Sequence, residues 1–194
     1  MNITVAEFDD YPTHAERMIK LMDSYKKENP SFKATLFAIP LRMTEDHFKM
    51  VEERKDWLRL GVHGVLHKNG ECRNRKVRYL IKALKQAHRY DMVCKPPHYG
   101  FSARYINFMH SRGYAFSCRS AIDIYRHYES PLHCPTGIQA YCKYEQSYLK
   151  MFGHPKNTPF MFIPQTKREN MRTLKSTDKF LFTTEAVERK TMIS

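Results

Sequence analysis

The 194-residue sequence predicts an α/β fold, with parallel strands joined by crossover helices. Three observations predict it. β-prone runs alternate with amphipathic stretches of helical period from residue 2 to about residue 125. Each run stops abruptly, at proline or at a polar loop. Hydrophobic residues make up 42% of the chain and aromatics 13%, enough for a packed core and too much for a disordered segment.

Residues 2–8 (NITVAEF) read as a first strand that ends at Asp9-Asp10-Tyr11-Pro12. Residues 13–28 place Ala15, Met18, Ile19, Met22 and Tyr25 on one helical face, with Thr13 as N-cap and Asn29-Pro30 as the stop. Residues 33–39 (KATLFAI) form a second strand closed by Pro40. A helix follows over about 44–56, its first turn bracketed by Thr44 and His47 with acids between them, as the helix dipole prefers. Residues 57–62 (WLRLGV) give a third strand, with Trp57, Phe48 and Leu60 in the core, and 63–70 a loop. A helix over 74–90, a short strand at Met92-Val93-Cys94, a helix over 102–112 and strands at 114–118 and 121–125 continue the alternation. Beyond residue 126 the pattern weakens to a helix near 141–151, a loop at Gly153-His154-Pro155 and a late strand at 179–183. The chain reads as a single domain, residues 1–194, with a flexible tail after about residue 185.

The net charge is +13. That surplus suits an anionic partner such as nucleic acid, an anionic glycan or a phosphorylated small substrate, and equally a merely solvated basic surface, because the basic residues form no tract. The five cysteines show no CxxC pair, so they read as reduced thiols rather than a zinc knuckle or a disulfide framework. The N-terminus lacks a basic leader with an apolar run, and no apolar window approaches about 18 residues. A cytoplasmic protein without a membrane span is expected.

In parallel α/β folds, reactive residues gather beyond the carboxyl ends of the strands. That rule brings Asp9-Asp10, His63 to His67, Lys95 to Gly100, Asp123 and His154 to one rim. His63-Gly64-Val65-Leu66-His67 is an HxxxH spacing, and two such imidazoles can share a metal. Alone it is a weak signal among ten histidines. Asp9-Asp10 alone equally suits a cap or a solvated turn. Together, two histidines and a carboxylate leave open positions on Zn²⁺, the pattern of a catalytic site, and a second carboxylate beside them can take a proton from an activated water.

The order of these motifs resembles the polysaccharide deacetylase family, the NodB-homology carbohydrate esterases of family four. Phe8-Asp9-Asp10 resembles its strand-end acid pair, and Lys33 to Phe37 its second strand. Gly61 to His67 resembles its metal-binding His motif, and Lys95-Pro96-Pro97-His98-Tyr99-Gly100 its Arg-Pro-Pro-aromatic-Gly motif. Asp123 resembles its following acid, and Gly153-His154 its final His motif. The match runs over about residues 3 to 155. The resemblance implies a distorted (β/α) barrel with an incomplete number of strands. It also implies a metal-dependent hydrolase that removes an N-linked acetyl or acyl group from an amino sugar. Asp10, His63 and His67 would hold one divalent ion, with Zn²⁺ the first choice. Asp9 would be the general base and His154 the general acid, with His127 and His133 as rivals for the acid. Tyr99 and Pro97 would serve the oxyanion and substrate, and Lys95 and Asp123 would orient Asp9 and His154.

The sequence departs from that pattern at four places. Tyr11 stands where the family has Gly, Gly64 where it has Ser or Thr, and Lys95 where it has Arg; His98 is an additional residue. A lysine is a point charge and does not reproduce the bidentate fork of arginine. The competing reading is a non-catalytic or differently specialised module of the same fold that binds an anionic partner such as nucleic acid. The charge motivates it, and no nucleic-acid-binding motif supports it.

Overall fold

A computed structural model describes residues 3–68, 70–74, 84–118, 140–142, 149–153 and 164–191. Among these residues eight strands form one sheet, and every pairing between them is parallel. They are β1 (Ile3–Tyr11), β2 (Ala34–Ala38), β3 (Leu58–Val62), β4 (Val93–Cys94), β5 (Ala115–Cys118), β6 (Ala140–Cys142), β7 (Leu149–Gly153) and β8 (Lys179–Leu181). Their spatial order is β6-β5-β4-β3-β2-β1-β7, with β8 also paired to β1. From β1 to β6 each strand lies beside its predecessor in sequence, the order of a barrel rather than of a sheet wound in two directions. Among the described residues β6 and β7 do not pair, in line with the incomplete barrel that the resemblance implies.

Helix α1 (Ala15–Glu28) buries Ala15, Met18, Ile19, Met22 and Tyr25, the face its period assigns. Its N-cap is His14 in a left-handed conformation, not Thr13. At its other end Asn29 Nδ2 donates to the carbonyls of Leu174 and Thr177, tying α1 to helix α5 (Pro164–Ser176). All five residues of β2 are buried, as expected of a strand covered on both faces. Helix α2 (Glu45–Glu52) opens with a capping box in which Thr44 and His47 satisfy each other's backbone N–H. The other α-helices among the described residues are the short α3 (Glu71–Asn74), α4 (Ala103–His110), capped by Ser102, and α6 (Thr183–Thr191).

The larger core lies between the helices and the outer sheet face and includes Phe8, Met22, Tyr25, Phe32, Leu36, Phe48, Leu60 and Tyr105. Trp57 packs against its edge. A second, smaller core joins Val5, Ala115 and Leu181 to Ala186 and Val187 of α6. Val5 shares a strand face with Glu7, so α6 closes the inside of the barrel below the polar groups described next.

The two described ends of the helix expected near 141–151 are strands, Ala140–Cys142 paired to β5 and Leu149–Gly153 paired to β1, and 143–148 lie outside the described residues. Pairing with neighbouring strands overrides the local period at both ends. Past residue 185, α6 continues through Thr191 with Ala186 and Val187 buried. Of the helix expected over 74–90, a 3-10 turn at Leu84–Arg89 is present, and 75–83 lie outside the described residues, as does the strand expected at 121–125. No helix among the described residues is long and apolar enough to cross a membrane.

Candidate metal centre

The carboxyl ends of β1 and β3 bring three side chains together. One ligand atom each from Asp10, His63 and His67 lies within 4.8 Å of the others. Asp10 Oδ1 is 2.8 Å from His67 Nε2 and 3.3 Å from His63 Nε2. All three side chains are almost wholly removed from solvent.

A bulge in β1 aims Asp10 at the histidines. Phe8 pairs with Leu36 and Tyr11 with Ala38, so three steps on β1 face two on β2. The extra residue falls at Asp9-Asp10, and Asp10 takes a left-handed backbone, φ 64°. Aspartate tolerates that region better than most residues. Simple alternation would turn Asp9 and Asp10 to opposite faces of the sheet; the bulge breaks the alternation and leaves Asp10 on the rim.

The histidines are fixed from behind. His63 Nδ1 lies 2.6 Å from the Lys95 carbonyl oxygen. A carbonyl only accepts, so Nδ1 donates to Lys95 and Nε2 is the ring nitrogen turned toward Asp10, the orientation a metal-ligating histidine needs. Burial alone would raise the Asp10 carboxyl. Hydrogen bonds and charge from His63 and His67 outweigh it and hold the group well below the usual carboxylate range.

Asp9 is held by Lys95. Its Oδ1 is 2.5 Å from Lys95 Nζ, which also lies 3.1 Å from Glu7 Oε2. Lys95 is 1% exposed, and its ammonium sits 4.9 Å from the centre of the Phe37 ring. Glu7 accepts further hydrogen bonds from Ser117 Oγ and Thr183 Oγ1. Sequence reasoning places Lys95 beside Asp9 but misses Glu7. A signal was present: an acid inside the apolar run NITVAEF costs too much to bury without a partner.

Pro97 and Tyr99 bound a 3-10 turn, Pro97–Tyr99, on the far side of the His loop. Pro97 has no N–H, and the Gly100 N–H is engaged by the Pro97 carbonyl. Of the two residues predicted at the oxyanion, only Tyr99 has an amide to offer. His98, between them, is exposed and left-handed, φ 54°, with its ring centre 5.0 Å from that of His67. His154, Asp123, His127 and His133 lie outside the described residues. The last residue of β7, Gly153, is in register with Phe8 of β1.

An all-parallel, incomplete β/α barrel with an Asp-His-His group at the carboxyl ends of its strands defines the structural class. Solved structures of family-four carbohydrate esterases share this fold. A peptidoglycan deacetylase from Bacillus subtilis superposes with a TM-score of 0.61 at 14% identity, covering 99% of this chain and 93% of that one. A family 4 acetyl xylan esterase from Clostridium thermocellum, in complex with a cobalt ion, gives 0.59 at 17% identity over 98% and 92%. A CE4 family pseudoenzyme from Bacillus anthracis gives 0.54 at 12% identity over 96% and 65%. No protein-family profile and no curated protein matches the sequence. The fold is therefore that of the polysaccharide deacetylases.

Proposed function

We infer that the chain is a metal-dependent hydrolase that removes an acetyl or related acyl group from the nitrogen of an amino sugar. The observation that carries this reading is the convergence of Asp10, His63 and His67 on one point at the barrel rim, with Asp9 adjacent. Two imidazole nitrogens and one carboxylate oxygen suit Zn²⁺ or another late transition metal. An ion held there would supply Lewis acidity, polarising an amide carbonyl and lowering the pKa of water toward neutrality.

The remaining chemistry belongs to the chain. Asp9, held by Lys95, would take the proton from the attacking water. The Tyr99 amide is the group that would donate to the developing oxyanion. His154, next in sequence after β7, is the proposed acid that protonates the leaving nitrogen, with Asp123 as its orienting partner. The peptidoglycan deacetylase of the same fold motivates an N-acetylated carbohydrate as the substrate. The +13 charge favours one that carries negative charge.

Acetate release from N-acetylated oligosaccharides by the zinc-loaded protein tests the reading. Activity in the wild type and its loss in Asp9→Asn are expected, by about 100-fold or more for a general base. Two observations favour a second reading, a binding module on the same barrel: the basic charge, and a pseudoenzyme of this fold. It predicts no acetate release, together with nucleic-acid or polyanion binding that weakens steeply with salt.

A further inference from the structure

Two of the three ligand residues sit on the His63–Lys68 loop, and one side chain outside the trio holds that loop. Glu71 opens α3 and is 3% exposed. Its Oε1 accepts from the N–H groups of Val65 (2.8 Å) and His67 (3.1 Å), and its Oε2 from those of Leu66 (3.0 Å) and Lys68 (3.2 Å). Four consecutive amides thus converge on one carboxylate, a concave backbone anion site occupied by the chain itself. The fit is close. Gly64 is left-handed, φ 65°, and a β-carbon there would fall on Glu71 Oε1 and lie 2.6 Å from Pro97 Cγ. The carboxylate therefore lies against the backbone between the two histidines, where only glycine leaves room. His67 is also left-handed, φ 60°, a conformation that persists only when its surroundings impose it.

We propose that Glu71 is a positioning residue of the metal centre: by clasping the amides of residues 65–68 it imposes the loop conformation that turns His67 Nε2 toward Asp10. This rests on the reading of Asp10, His63 and His67 as ligands. Glu71 touches neither ion nor substrate. Both of its oxygens are spent on backbone N–H groups, so it is not a fourth ligand. Carboxylate chemistry is required, because only a group with two accepting oxygens serves all four donors. Glutamine has the same shape but one accepting oxygen, and its NH₂ group would face two N–H donors.

The test compares wild type, Glu71→Gln and Gly64→Ala, with circular dichroism to establish folding. Amide hydrogen exchange at residues 65–68 is measured in the metal-free proteins, and Co²⁺ and Zn²⁺ affinity by competition with a chelator. Faster exchange in Glu71→Gln and a metal affinity lowered about 10–100-fold are expected, with altered Co²⁺ absorption bands reporting a displaced ligand. Gly64→Ala, which expels the carboxylate while keeping Glu71, should show the same loss and stands in if Glu71→Gln does not fold. Wild-type metal affinity in either folded variant overturns the proposal, even if the amides loosen, because the loop would then be held without consequence for the ligands. If the wild type itself takes up no metal, the ligand reading fails. The exchange data then still decide whether Glu71 sets the loop.

Discussion

Lys95 lies in a place water does not reach, between Glu7 and Asp9 on one face of β1. Removing one member of such a group leaves an uncompensated buried charge, which costs more than the group contributes when intact. Lys95→Met should therefore destabilise the protein by about 3–5 kcal/mol, read as a lowered urea midpoint. Adding Glu7→Gln should restore part of that loss, because the two substitutions act on one network and do not add. A double variant whose loss equals the sum of the two singles would show that Glu7 and Lys95 do not act as a unit. The departure from arginine to lysine has its counterpart here. A compact ammonium fits between two carboxylates from a single strand, and Glu7 supplies the second one.

At the scale of elements, legibility followed period. α1, α2 and the strands β1 to β5 declared themselves through apolar spacing and abrupt proline or polar stops. The Thr44/His47 bracket appears as a capping box. What the period could not show was the bulge. Asp9-Asp10 read as a strand end, whereas β1 continues to Tyr11 and changes register within the pair. A bulge depends on the neighbouring strand, and β2 lies more than twenty residues away in sequence. The same holds for Glu71, whose partners are backbone amides and leave no mark on side-chain pattern. The three- and four-residue spacing of Tyr141, Tyr144 and Tyr148 suggests a helix, while β6 and β7 owe their pairing to β5 and β1. The metal trio was legible as residues, through HxxxH and the double Asp. Its geometry was not, because it depends on left-handed backbone at Asp10 and His67.

For the whole molecule, an incomplete barrel whose interior carries ionised groups at the rim and aliphatic side chains around α6 places charge and core within one small volume. Its buried tyrosines make the fold sensitive to alkali. Burial raises the phenols of Tyr11, Tyr25, Tyr90, Tyr105 and Tyr114 above their usual value, Tyr114 to about 12. A raised folded-state pKa favours the protonated form, so this contribution is complete below the unfolded value near 10 and is lost as pH rises toward 12. Stability to urea should fall from about pH 10 upward, and Tyr114→Phe should lessen that fall. A wild-type stability that stays level from about pH 10 to 12 would contradict the linkage. Metal content tests the Asp10, His63 and His67 site at the rim most directly. Purified wild-type protein dialysed against Zn²⁺ should retain one ion per chain, and His63→Ala, folded by circular dichroism, should retain none. Equal stoichiometry in the two proteins would contradict the assignment of Asp10, His63 and His67 as the site.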